Sequence, residues 1–195
     1  MSLISIIIAL LAVLVGVMVW RANQAGPPIE EVRKGGRLML RGFGPSGEDV
    51  EVTIFSRHLY SEDDETWIEL EGECQFGPIS VNLEASMPVS VDVTIRKLTF
   101  DDIKLSEEKI AAIEKADEGS FLFEGTRYEY EDWGKAVYHE HGNLDSKERL
   151  KYWEFESEDG NTITVEHWED GSIECFLAKE LPRSEVRVWS TTGES

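Results

Sequence analysis

Apolar and polar residues alternate along most of this chain. Val50-Glu51-Val52-Thr53-Ile54, Ile79-Ser80-Val81-Asn82-Leu83 and Val89-Ser90-Val91-Asp92-Val93-Thr94-Ile95 all repeat with period two. Successive strand side chains point to opposite faces, so such stretches fold as strands with one face on a core. Turn residues stand between them: Gly44-Pro45-Ser46-Gly47, Ser61 to Glu65, and Gly77-Pro78. The pattern continues through Phe121 to Phe123, Thr126 to Tyr130, Lys135 to His141, Leu150 to Glu156, Thr162 to Trp168 and Ser172 to Ala178. Asp159-Gly160 and Asp170-Gly171 are hairpin signals, and Val186 to Trp189 reads as a closing edge strand.

One stretch breaks the alternation. Ser106 is a good N-cap, Glu107 and Glu108 suit the positive end of a helix dipole, and Leu105 can staple onto Ile110. A helix is expected over 106–117, ended by Gly119. The fold class is therefore mainly β with one α-helix (α+β), two antiparallel meanders packing as a sandwich or partly open barrel. The meanders share a rhythm. Thr66-Trp67-Ile68-Glu69-Leu70 precedes Ile79 to Glu84, and Tyr152-Trp153-Glu154-Phe155 precedes Ile163-Thr164-Val165-Glu166. Two similar halves, 32–104 and 120–189, are expected on either side of the helix, within a β-rich domain spanning 32–189 and followed by a tail at 190–195.

Ahead of the domain lies Leu3 to Trp20 (LISIIIALLAVLVGVMVW), uncharged and with Ser5 its single polar side chain. At 1.5 Å per residue it reaches about 27 Å, near the ~30 Å hydrocarbon core of a bilayer. A secretory signal would carry Lys or Arg before a shorter run; here Arg21 follows it. The run is read as an N-terminal transmembrane helix at 3–20, with Trp20 at the interface. Residues 21–31 form a linker stiffened by Pro27 and Pro28. Arg21, Arg33, Lys34 and Arg37 follow the span, which places the C-terminal domain in the cytoplasm of an inner (cell) membrane protein.

Charge narrows the partners. With 39 acidic against 19 basic side chains the net charge is -20, which repels nucleic-acid phosphates and anionic lipids and favours cations. Cys74 and Cys175 suit a reducing cytosol, and their spacing leaves open whether they pair.

No catalytic constellation stands out, no cofactor is implied, and the chain is read as a non-enzyme. Both cysteines follow a Glu, which raises a thiol pKa, and there is no Gly-x-Ser-x-Gly or phosphate-cradling loop. His139 and His141 stand two apart on an expected strand and are weak metal candidates. No third ligand sits at a diagnostic spacing. The density of aromatics among carboxylates suggests a ligand groove for an organic cation, built from Trp67, Glu69, Trp153 and Glu154.

The two Trp-bearing strands, together with Glu124-Gly125-Thr126-Arg127-Tyr128, resemble the bacterial family called domain of unknown function 4178. The resemblance covers Val32 to Trp189. It carries no established activity or catalytic residue, and implies an accessory role beside an envelope-stress or polyamine-related membrane system. The leading expectation is a single-pass membrane protein whose acidic domain binds a protein partner. The alternative is a binding module for a cation or polyamine.

Overall fold

The computed structural model describes residues 26–84 and 90–193, so the Leu3–Trp20 run lies outside the described residues. Among the described residues, no helix is long and apolar enough to cross a membrane. The elements are β1 (Arg37–Leu40), β2 (Val50–Glu62), β3 (Glu65–Cys74), β4 (Gly77–Glu84) and β5 (Ser90–Leu98). Two helices follow, α1 (Phe100–Ile103) and α2 (Glu107–Ala116). Then come β6 (Ser120–Phe123), β7 (Thr126–His139), β8 (Glu148–Ser157), β9 (Asn161–Trp168), β10 (Ile173–Pro182) and β11 (Val186–Ser190).

The strands make one antiparallel sheet in the order β11-β1-β2-β3-β4-β5-β10-β9-β8-β7-β6, not two sheets packed face to face. The reason lies at β5 and β10. They pair from Ser90↔Pro182 to Leu98↔Cys175 and stitch the meanders edge to edge. At the other side β2 pairs with β7 over Leu59–Ser61 and Val137–His139. Eight strands, β2-β3-β4-β5-β10-β9-β8-β7, thus return on themselves as a ring. The order β1 to β5 is repeated by β6 to β10, and the β5–β10 and β2–β7 contacts relate the two runs.

β2 and β7 are the longest strands, and each changes face midway. In β2 the register slips between Ile54 and Ser56, which makes Phe55 a bulge. In β7 it slips between Tyr130 and Asp132, at Glu131. An extra residue shifts the side-chain period by one. Val50, Val52 and Ile54 therefore face the apolar core while Ser56, His58 and Tyr60 face the other way. In β7 Tyr128 packs in a core and Ala136 does not share it. Opposite the Phe55 bulge sits Gly72, where a Cβ would lie 2.7 Å from Val52 Cγ1 and 2.8 Å from the Thr53 carbonyl. The interruption at residues 131–134, which separates two short strands in the sequence pattern, is this bulge inside one 14-residue strand.

Most apolar side chains point out of the ring, and a smaller cluster of Tyr60, Ala136 and Leu150 with four aromatic rings lies inside it. Ile68, Leu70, Val81 and Val93 pack beneath β1 and β11, with Leu38, Leu40, Val186 and Val188. Phe155, Ile163, Val165 and Cys175 pack beneath the helices and β6, with Ile103, Leu105, Ile110 and Phe123. The Ser106 hydroxyl accepts from Lys109 N, and Leu105 and Ile110 are both buried, as the cap and staple predict. The short α1 has a capping box from Thr99 and Asp102 that the apolar pattern does not announce.

The expected linker is shorter than 21–31. Ile29 to Glu31 form a 3-10 turn, and Ile29 and Val32 are wholly buried in the N-terminal core. Proline-set φ at Pro28 leads the chain straight into that turn, so residues 29–31 of the expected linker already belong to the fold.

Candidate functional site

With its greasy faces turned outward, the ring presents its polar alternation to the lumen. A cavity of about 810 Å³ is lined from all eight ring strands, from Tyr60 on β2 round to Tyr138 on β7. That volume is in the range of small-molecule sites. Its wall carries the carboxylates of Glu65, Glu69, Glu71, Glu84, Asp92, Glu148, Glu154, Glu166 and Glu174, against Arg96 and Lys97 as the two cationic side chains. Both cations are already engaged: Lys97 Nζ with Glu174 at 2.5 Å, and Arg96 with Glu124 at 2.9 Å. The free charge of the lumen is negative.

Aromatic rings form a continuous arc on the same wall. Tyr60 and Trp67 stack at 5.3 Å between centroids, and Trp67 meets Tyr152 edge-on at 6.0 Å. Tyr60 meets Tyr138 at 5.1 Å, and Tyr138 meets Trp168 at 5.4 Å. The arc arises from register: Tyr60 opposes Trp67 across β2–β3 and Tyr138 across β2–β7.

The carboxyl groups are tuned by this wall. Burial, with the Asp92 and Asp132 charges, pushes Glu154 up to about 7. Burial and the facing charge of Glu69 push Glu166 up to about 8. Glu69 is raised by burial and by Glu71, and Asp92 by burial and by Glu180 and Glu156. Carboxylates crowded in a low-dielectric wall hold protons unless a cation arrives. Glu71 is the exception, held low by its hydrogen bond with His58.

The β2–β7 seam is closed by side chains. His58 Nδ1 accepts from the His141 backbone N–H at 3.2 Å and lies 2.6 Å from the Tyr138 hydroxyl, while Nε2 is 3.0 Å from Glu71 Oε2. A backbone amide can only donate, so Nδ1 accepts and Nε2 carries the ring proton, which it donates to Glu71. Glu62 accepts from the Tyr152 hydroxyl at 2.5 Å and from Lys135 N at 2.7 Å.

Of the residues singled out from sequence, Trp67, Glu69 and Glu154 line the lumen and Trp153 does not. Trp153 is on β8 next to Glu154, so it points the opposite way, into the C-terminal core. There its Nε1 donates to Glu114 of α2 at 3.0 Å. Aligning the halves on Trp67 and Trp153 shifts β8 by three residues, an odd number that exchanges its faces; matching the Phe55 and Glu131 bulges sets Leu70 beside Trp153 instead. The sequence reading passed over Glu166, Asp92, Tyr60 and Tyr152, although each occupies the polar phase of its own alternation.

The histidine pair is separated by the end of β7. His139 is buried, with Nδ1 at 3.0 Å from the Ser146 carbonyl and Nε2 at 3.3 Å from Ser61 Oγ. His141 follows in a 3-10 turn with φ 53° and lies 2.9 Å from Ser56 Oγ. They share no strand face, and among the described residues no group of three metal-ligating side chains converges. Cys74 and Cys175 are free thiols in different cores; burial pushes Cys175 up to about 12.

Residues 48–183 match the family described as Domain of unknown function (DUF4178). The chain belongs to this family. An uncharacterized protein of Aquifex aeolicus (strain VF5) is 28% identical over 159 residues, which cover 82% of each chain. No solved structure matches. The family match begins just before β2 and ends just after β10, so it takes in every strand of the ring and both helices. It leaves out β1, β11 and residues 1–47, and is narrower than the Val32–Trp189 span of the resemblance.

Proposed function

We propose that this protein binds an organic cation in the ring lumen and is held at a cell membrane by residues 3–20, with the domain in the cytoplasm. One observation carries the reading: a lumen whose unengaged charges are carboxylates, walled by an arc of five aromatic rings. Ammonium groups pair with carboxylates and lie over aromatic faces, each such ring contact contributing about 0.5–2 kcal/mol. Glu69, Glu166, Asp92 and Glu154 all line the lumen, where the Glu69 charge raises Glu166 and the Asp92 charge raises Glu154, each pair drawing one acid from each run of strands. A linear polyamine suits two such pairs, and an accessory place in a polyamine-related membrane system belongs to the same proposal.

A protein partner, the leading expectation from sequence, becomes the second reading. Phe76, Leu122 and Leu144 are exposed in the β3–β4 turn, on β6 and in the β7–β8 connection, three positions far apart in the fold.

Calorimetry on the full chain in detergent, with spermidine at physiological salt, tests the proposal. Saturable binding that weakens at least tenfold in Glu69→Gln/Glu166→Gln and is unchanged in Glu107→Gln supports it. No saturable heat sinks it. A C-terminal reporter active only in the periplasm would overturn the cytoplasmic orientation.

A further inference from the structure

The outer face of β11, β1 and β2 carries a second arrangement that the lumen does not use. On β11, Arg187 and Trp189 alternate with the buried Val186 and Val188. The Arg37 guanidinium lies 5.8 Å from the centre of the Trp189 ring and 3.1 Å from Glu51. The bulge in β2 turns Phe55 outward. Trp189 is 42% exposed and Phe55 47%, two large rings left in water on the strands that flank β1.

The chain enters the domain along the backbone edge of β11, beside this face. Gly26 runs against β11, so closely that a Cβ there would lie 2.7 Å from the Val188 carbonyl oxygen. Ile29 and Val32, wholly buried, fix the entry. Six chain steps separate Trp20 from Gly26, and at full extension they span about 20 Å. If residues 3–20 cross a bilayer, β11 is held within that distance of its surface.

Charge agrees with the geometry. Residues 61–182 hold 32 acidic against 11 basic side chains, and so account for the whole negative excess. The remainder, which includes Arg33, Lys34, Arg37 and Arg187 against Glu30, Glu31 and Glu51, is close to neutral. Of all its faces, this one can approach anionic headgroups without strong repulsion. Trp favours the headgroup level, and Arg and Lys pair with lipid phosphates.

We infer that the β11–β1–β2 face, through Trp189, Phe55, Arg37 and Arg187, docks on the surface of an anionic phospholipid bilayer, which orients the ring above it. The inference rests on the reading of residues 3–20 as a tether. Its test uses the full chain reconstituted in vesicles of phosphatidylcholine with and without 30% phosphatidylglycerol, with brominated lipids as fluorescence quenchers. The expected result is a quenched tryptophan component that Trp189→Phe removes, that is larger with phosphatidylglycerol, and that shrinks above 0.5 M salt. Trp20 stays quenched in both proteins and serves as the internal reference. Equal quenching of wild type and Trp189→Phe, with the chain floating on the vesicles, overturns the docking face and leaves the tether standing. A chain that remains in the aqueous phase on flotation overturns both.

Discussion

Tyr152 on β8 donates its phenol proton to Glu62 at the end of β2 across 2.5 Å, joining two strands that no ladder pairs. Glu62 reaches this position because Gly134 of β7 leaves room. A Cβ there would lie 2.5 Å from Glu62 Oε1 and 2.5 Å from the Tyr152 hydroxyl oxygen. Backbone pairing at this seam is only three residues long, so the side-chain bonds matter to closure. Gly134→Ala is expected to push Glu62 away and to cost about 1–3 kcal/mol in urea unfolding. Glu62→Gln, which keeps an acceptor, should cost less; equal losses would contradict the role given to the gap.

Stability of the empty protein should fall as pH rises. Glu154 and Glu166 titrate near 7 and 8 in the fold, against about 4.5 when unfolded. Between those values the folded state holds more protons, so each unit of rising pH lowers stability. Thermal melts from pH 5 to 9 should show the decline, and Glu166→Gln should flatten it and raise stability at pH 8 by about 1–3 kcal/mol. A melting temperature that climbs over this range would contradict the assignment.

Cation affinity should move the opposite way. Binding favours ionised carboxylates, so uptake of spermidine releases protons and tightens from pH 6 to pH 8.5. Calorimetry in two buffers of different ionisation enthalpy counts those protons. A proton count of zero at pH 7 would separate the ligand from Glu154 and Glu166.

Trp153→Phe removes the donor to Glu114 and keeps most of the ring volume. The expected loss is about 1 kcal/mol, with faster amide exchange confined to α2. Glu114 also holds Lys151 Nζ at 2.6 Å, so Glu114→Ala should cost more than Trp153→Phe. Lumen binding should be unchanged in the Trp153 variant, because that ring lies on the far side of β8.

Native alkylation should label Cys74 and spare Cys175. Cys74 is half-buried at the margin of one core, while Cys175 is 1% exposed in the other, with its thiol held protonated near neutral pH. Mass spectrometry after iodoacetamide in denaturant, with and without prior reduction, should show the same two free thiols. An increase on reduction would mean a disulfide.

Local chemistry was legible where a few residues decide the outcome. Period-two alternation located the strands, and Ser106 with Leu105 and Ile110 located the helix. The ring was not legible, because it depends on β5 meeting β10 and β2 meeting β7, contacts between residues some 80 positions apart. The bulges at Phe55 and Glu131 hid a second fact: each reverses which residues of a long strand face the core. Alternation says that two faces differ without saying which is enclosed. Trp153 shows the cost, since a three-residue shift in matching the halves, an odd number, moved it from core to groove.

Because β1, β11, the helices and β6 shoulder most of the apolar packing from outside, the lumen wall away from the β2–β7 seam is relieved of much of that duty. Positions there can be exchanged with little penalty to folding, as long as the outward phase of each strand is kept. The same shell could therefore be relined for a different guest, and relatives sharing this ring need not share a ligand.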